Sequence, residues 1–95
     1  MVKHIVMWNL KDDENKQANM EKMKEMLCGL VGKVPGLIFA EVGFNYNPDG
    51  FDIVLYSELE SKEALNVYQD HPEHLIVKAF VRSVITERVV TDYEI

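Results

Sequence analysis

The segment VKHIVMWNL, residues 2–10, alternates between two kinds of position. Apart from one histidine the first kind is apolar, and its members are Val2, His4, Val6, Trp8 and Leu10. The second kind is mixed, and its members are Lys3, Ile5, Met7 and Asn9. Because a β-strand points successive side chains to opposite faces, this period of two predicts a strand with one face in the core and a mixed face on the other side.

The chain after this strand changes to the period of an amphipathic helix. From Asp13 onward, apolar residues recur at every third or fourth position, namely at Met20, Met23, Leu27, Leu30, Val31 and Val34. The helix is expected to end near Gly32 and Pro35-Gly36. Residues 37–44 and 51–59 predict two strands, which the turn-forming segment NYNPDG joins as a hairpin.

A proline divides the second helical region into two helices. Ser61 is predicted to cap a helix that stops at His71, because Pro72 disfavours helical geometry in the residue before it. Pro72 can itself open a further helix, since proline is tolerated at the first helical position. Residues 85–91 then predict a fourth strand, rich in valine and threonine.

The order β-α-β-β-α-β predicts an α+β fold, a ferredoxin-like sandwich in which the helices cover one face of an antiparallel sheet. One domain over residues 1–95 accounts for the whole chain. The other face of the sheet carries Ile5 and Met7 and is too apolar to remain exposed across four strands. We therefore expect a homodimer through the sheet face, in which a second copy covers it.

Composition narrows the classes of partner and compartment. The 16 acidic and 10 basic residues give a net charge of −6, and no basic stripe is present that would follow the phosphates of a nucleic acid. No apolar run approaches the length of a bilayer span. Cys28 is the only cysteine and lies in an apolar helical stripe, which favours an unreactive core thiol. We expect a cytoplasmic protein with no nucleic-acid or membrane partner.

Three segments carry a recognisable pattern: residues 3–6 (KHIV), residues 58–65 (ELESKEAL) and residues 68–74 (YQDHPEH). In these segments, and over essentially its whole length, the chain resembles the stress-responsive dimeric α/β-barrel (Dabb) family. The resemblance implies two ferredoxin-like subunits whose sheets face each other as a barrel, in agreement with the uncovered sheet face. The resemblance does not indicate one particular activity, because family members range from stress-associated proteins without assigned chemistry to a polyketide cyclase.

The resemblance also implies a candidate site. His4, Tyr68 and His74 match a strand histidine, a helix tyrosine and the second histidine of the His-Pro-x-His segment in the cyclase. By this match His74 would be a base that removes a proton next to a carbonyl, Tyr68 would donate to the enolate oxygen, and His4 would orient them or the ligand. Trp8 and His71 are further candidates for ligand binding.

Several functional interpretations stay open. The leading hypothesis is a homodimer that binds a small organic ligand in a small apolar pocket between sheet and helices. The alternative is a cofactor-independent, cyclase-like or lyase-like enzyme that uses the three residues named above. A minor alternative is a cofactor-free monooxygenase, since Trp8 and Asn9 resemble residues that such enzymes of the same superfamily use.

A purely structural role is also open for the same residues: Tyr68 as core, His71 as a cap before Pro72, and His74 as a residue that fixes the loop. We expect no metal and no cofactor, because the three histidines lack a further ligand at a familiar spacing. A cation site formed by backbone carbonyls of the turn at residues 31–37 also stays open, as in a plant relative of the family.

Overall fold

The computed structural model describes all of residues 1–95 and contains four strands and three helices. In chain order they are β1 (Val2–Leu10), α1 (Lys16–Cys28), β2 (Leu37–Phe44), β3 (Ile53–Leu59), α2 (Lys62–Asp70), α3 (Pro72–Val84) and β4 (Ile85–Glu94). The strands form one antiparallel sheet in the order β2-β3-β1-β4. This arrangement confirms the α+β, ferredoxin-like fold expected from the order of the elements.

The core lies between the sheet and the helices, as the alternation in β1 predicts. Val2, Val6, Trp8 and Leu10 are buried, whereas Met7 on the opposite face is 39% exposed. In α1 the apolar positions Met20, Met23 and Leu27 face this core. None of the three helices is long and apolar enough to cross a membrane.

The first helix begins three residues later than its apolar period predicts. Asp13 accepts a hydrogen bond through its carboxylate from the Asn15 N–H at 2.8 Å, which holds residues 13–15 in a turn. The helix therefore begins at Lys16 rather than at Asp13. At its far end the chain turns through residues 29–34, and Leu30 and Val34 remain buried in the core.

A glycine allows β2 to begin close against α2. Gly36 has φ +85°, and a Cβ atom built on it would lie 2.6 Å from the Cβ of Ala64. A larger residue would meet both a strained backbone and a clash. The close approach seats α2 over the sheet, where Ser61 Oγ accepts from the Ala64 N–H at 3.0 Å and confirms the predicted cap.

The break between α2 and α3 falls where the proline predicts it. His71 ends α2, Pro72 is the first residue of α3, and the Nδ1 of His71 accepts a hydrogen bond from the Glu73 N–H at 3.1 Å. The last strand, β4, extends to Glu94 instead of ending near Thr91, because it pairs with the whole of β1 as far as Val2.

The face of the sheet opposite the helices, called here the open sheet face, is largely apolar. Its side chains alternate with the buried ones and include Ile5, Met7, Phe39, Val54, Tyr56, Val89 and Tyr93. One polar cluster lies among them: the Lys3 ammonium is 2.7 Å from the Tyr56 hydroxyl and 2.5 Å from the Glu58 carboxylate. Nothing in the chain itself covers this face.

Candidate functional site

A cavity of about 300 Å³ lies between the sheet and the helices. Strands β1 and β3, the three helices and the start of β4 all contribute to its wall. The lining residues are His4, Val6, Trp8, Leu27, Leu55, Tyr68, Gln69, His74, Val77, Lys78, Val81, Arg82, Ile85 and Arg88. The wall is thus apolar over much of its area, with aromatic, imidazole and cationic groups at defined places.

His4 is held in the cavity wall by two neighbouring strands. It is 2% exposed, its carbonyl accepts from Ser57 Oγ at 2.9 Å, and its Nδ1 is hydrogen-bonded to the Asp92 carboxylate. Both partners are opposite His4 in the strand register, one on β3 and one on β4. Because an ionised carboxylate can only accept, Nδ1 of His4 carries the proton of this hydrogen bond.

Three aromatic rings follow one another along this wall. The rings of Tyr68 and His74 are stacked with centroids 4.0 Å apart, and the ring of His4 meets Tyr68 edge-on at 6.0 Å. On one continuous helix, positions six apart would point about 120° away from each other. The break at Pro72 starts a second helix in a new direction and so brings His74 against Tyr68.

Burial keeps both stacked rings uncharged at neutral pH. Burial, with a smaller contribution from the positive charge of Lys78, lowers the pKa of His74 to about 4, although the backbone of Tyr68 and Gln69 acts in the opposite direction. Burial also raises the pKa of the Tyr68 hydroxyl. The cavity therefore offers a neutral imidazole that can accept a proton and a neutral phenol that can donate a hydrogen bond.

Two buried polar atoms in the chain have no hydrogen-bond partner, and both belong to residues of the cavity wall. They are Nε1 of Trp8 and Nδ1 of His74. Leaving a buried polar group unpaired costs about 1–3 kcal/mol, so such atoms are rare without a functional reason. His74 thus combines a ring stacked on Tyr68 with an unpaired nitrogen.

The structure brings together four of the five residues singled out in the sequence. His4, Trp8, Tyr68 and His74 all line the cavity, whereas His71 does not, because its ring caps α3 at the surface. Sequence reasoning missed Asp92, the partner of His4, since only the register of β4 against β1 shows that they are opposite each other.

Three basic residues of the wall, Lys78, Arg82 and Arg88, were also missed. The spacing of Lys78 and Arg82, four residues apart in a helical segment, could have placed these two on one helix face. Nothing comparable in the sequence pointed to Arg88, because its place at the cavity depends on the pairing of β4 with β1, which sets Arg88 opposite Trp8.

The antiparallel sheet, the helices on one face and the cavity between the layers define a ferredoxin-like α+β protein with a cavity of ligand size. The sequence model of the stress responsive A/B barrel domain, Dabb, matches residues 2–95. The chain belongs to this family.

Relatives with solved structures share the fold along the whole chain. A dimeric protein of unknown function with a ferredoxin-like fold, from Bacteroides fragilis, is 36% identical with a TM-score of 0.91, covering 99% of this chain and 95% of that one. A hydroxynitrile lyase from Passiflora edulis is 21% identical with a TM-score of 0.87, covering 99% and 92%. At that identity the second likeness shows the fold alone.

A named plant relative is longer than this chain. The stress-response A/B barrel domain-containing protein DABB1 of Arabidopsis thaliana is 24% identical over 106 residues, which cover 98% of this chain and 46% of that protein. The chain thus spans about half the length of this relative.

Proposed function

We propose that this protein is a homodimer that binds a small organic molecule in the cavity between sheet and helices. The observation that carries the proposal is the stacked pair of uncharged rings, Tyr68 and His74, in the wall of a cavity that is otherwise lined largely by apolar side chains.

The size and lining of the cavity support the same proposal. A volume of about 300 Å³ is within the range of small-molecule sites, which are mostly apolar with a few convergent polar groups. Leu55, Val77 and Val81 supply apolar wall, while Tyr68 and His74 supply neutral hydrogen-bonding groups beside it.

Binding can be tested with benzamide and acetophenone, two neutral probes that carry a carbonyl group. Trp8 is the only tryptophan, so its indole N–H gives one identifiable NMR signal. We expect this signal to shift saturably on titration of wild-type protein. Val81→Phe should abolish the shift by filling the cavity, whereas Val67→Phe, the same change at a 52% exposed site on α2, should leave it intact.

An indole signal that stays in place with both probes would contradict the binding cavity. Equal responses of the two variants would mean that the probes bind elsewhere. The amide spectrum of each variant shows whether the fold is retained, which separates loss of the cavity from loss of the structure.

We place the dimer interface of this proposal on the open sheet face. Its apolar side chains would be covered by a second copy, and the cluster of Lys3, Tyr56 and Glu58 already satisfies its own charges. The relative from Bacteroides fragilis, 36% identical, is dimeric, which supports the homodimer. The interface and the cavity then lie on opposite sides of the sheet.

A second candidate function is proton transfer on a carbonyl compound, and the pairing of His4 with Asp92 favours it. A histidine oriented by a carboxylate is a suitable base, because the carboxylate stabilises the imidazolium that forms. His74 remains the base proposed from the sequence, with Tyr68 as donor to the enolate oxygen. The same fold occurs in an enzyme, the hydroxynitrile lyase from Passiflora edulis.

Exchange of the methyl protons of acetophenone in D₂O tests this second function. The base takes a proton from the methyl carbon, the enolate oxygen accepts a hydrogen bond from Tyr68, and deuterium returns to carbon. We expect exchange faster than in buffer, and a drop of about 100-fold in His74→Gln, which removes the proposed base. His71→Asn, which retains a capping side chain outside the cavity, is the control.

A wild-type rate equal to that of buffer would contradict proton transfer while leaving ligand binding intact. An equal loss in His71→Asn would show that the variants act through the fold and not through the cavity.

A further inference from the structure

Three cationic side chains line the cavity, and no acidic one does. The chain carries 16 acidic and 10 basic residues, yet Lys78, Arg82 and Arg88 are in the cavity wall while every aspartate and glutamate is outside it. A positive cavity wall in a chain of net charge −6 requires a local explanation.

The three cations approach the cavity from two elements. Lys78 and Arg82 are one turn apart on α3 and therefore share a helix face. Arg88 is on β4 directly opposite Trp8, so it points to the helix side of the sheet. The positive groups thus flank the cavity from the helix layer and from the sheet.

These cations are not neutralised by the chain. Its lysine–carboxylate ion pairs use other cations, and they are Lys3 with Glu58, Lys16 with Asp52, and Lys62 with Glu94. Lys78 is half-buried and donates only to the Gln69 carbonyl at 3.1 Å. Arg82 and Arg88 are exposed, which places them where the cavity meets solvent. Asp92, which is on the same side of the sheet as Arg88, has its carboxylate bound to His4.

We propose that the ligand of this cavity is an organic anion with an apolar body, such as a carboxylate, an inference that rests on the binding function proposed above. The anionic group lies between Lys78, Arg82 and Arg88, where charged donors can form strong hydrogen bonds with it. The apolar body extends inward against Val6, Leu55 and Val81.

Octanoate, octanamide and acetate separate charge from apolar contact. Octanoate and octanamide differ in charge with nearly the same shape, and acetate has the charge without the body. The fluorescence of Trp8 reports binding, because it is the only tryptophan and lines the cavity. We expect octanoate to bind about tenfold or more tightly than octanamide, and acetate to cause no change at the same concentrations.

Charge removal at the cavity mouth should erase this preference. In the double variant Arg82→Gln and Arg88→Gln, octanoate is expected to bind no more tightly than octanamide. Lys33→Gln removes one positive charge from an exposed turn outside the cavity and should leave the ratio unchanged. Raising the ionic strength should weaken the binding of octanoate more than that of octanamide in the wild type. This comparison tests the contribution of charge without any substitution.

Octanamide binding as tightly as octanoate would overturn the anion preference and leave the binding cavity standing. A preference for octanoate that survives the double variant would overturn the assignment to the two arginines. If neither eight-carbon probe binds, the anion inference and the binding function both fail. If acetate bound as tightly as octanoate, the site would be a surface anion site, and the inference that the ligand has an apolar body would be wrong.

Discussion

At the scale of single residues, the ionisation of His74 links the site to the stability of the fold. Its pKa is lowered from 6.5 to about 4, mainly by burial. Between these two values the unfolded chain binds a proton that the folded chain does not. The free energy of unfolding therefore falls as the pH is lowered from 6.5 towards 4, and this loss is absent above pH 6.5.

Replacing the imidazole should remove this pH dependence. When the pH is lowered from 7 to 4.5, we expect the wild type to lose about 2 kcal/mol more of its unfolding free energy than His74→Gln does. Urea unfolding at the two pH values measures it. His71→Asn is the matched control, because His71 is at the surface end of α3 and its removal should leave the pH dependence of wild type.

A His74→Gln variant whose stability follows that of wild type at both pH values would contradict the buried, neutral histidine.

At the scale of elements, most of the fold can be predicted from the sequence, because hydrophobic periods and helix caps depend on residues close together in the chain. The alternation at residues 2–10 predicts β1 and its buried face, and Ser61 and Pro72 fix the ends of the second helical region. The same break at Pro72 builds the site, since it lets Tyr68 and His74 stack.

The element boundaries that sequence reasoning missed depend on distant partners or competing turns. The start of α1 moved because Asp13 forms a turn with Asn15, which competes with the first helical turn. The end of β4 moved to Glu94 because β1 provides a pairing partner along its whole length. Asp92 was missed for the same reason, as its role exists only through the register that places it against His4.

At the scale of the whole molecule, the sheet separates two surfaces with different demands. The helix side contains the cavity, with its polar and cationic groups. The open sheet face has apolar side chains around one compact ionic cluster, in which the Tyr56 hydroxyl is 2.7 Å from both Lys3 and Glu58. Hydrogen bonding to Glu58 raises the pKa of Lys3, and that to Lys3 lowers the pKa of Glu58, so both stay charged near neutral pH. A cluster that is already satisfied can be covered by a partner at low cost.

A single charge in the middle of that face should therefore prevent dimer formation. Met7 is on β1, is 39% exposed and lies directly opposite two apolar residues, Val54 on β3 and Val89 on β4. We expect wild type to sediment as a dimer at micromolar concentration and Met7→Lys to sediment as a monomer, because the dimer would bury an unpaired charge. Ile76→Lys, at a 62% exposed site on α3, places the same charge on the helix side and should remain dimeric. A monomeric wild type would contradict the dimer itself. A dimer that tolerates Met7→Lys would instead place the interface on another surface, which would leave the open sheet face without an occupant.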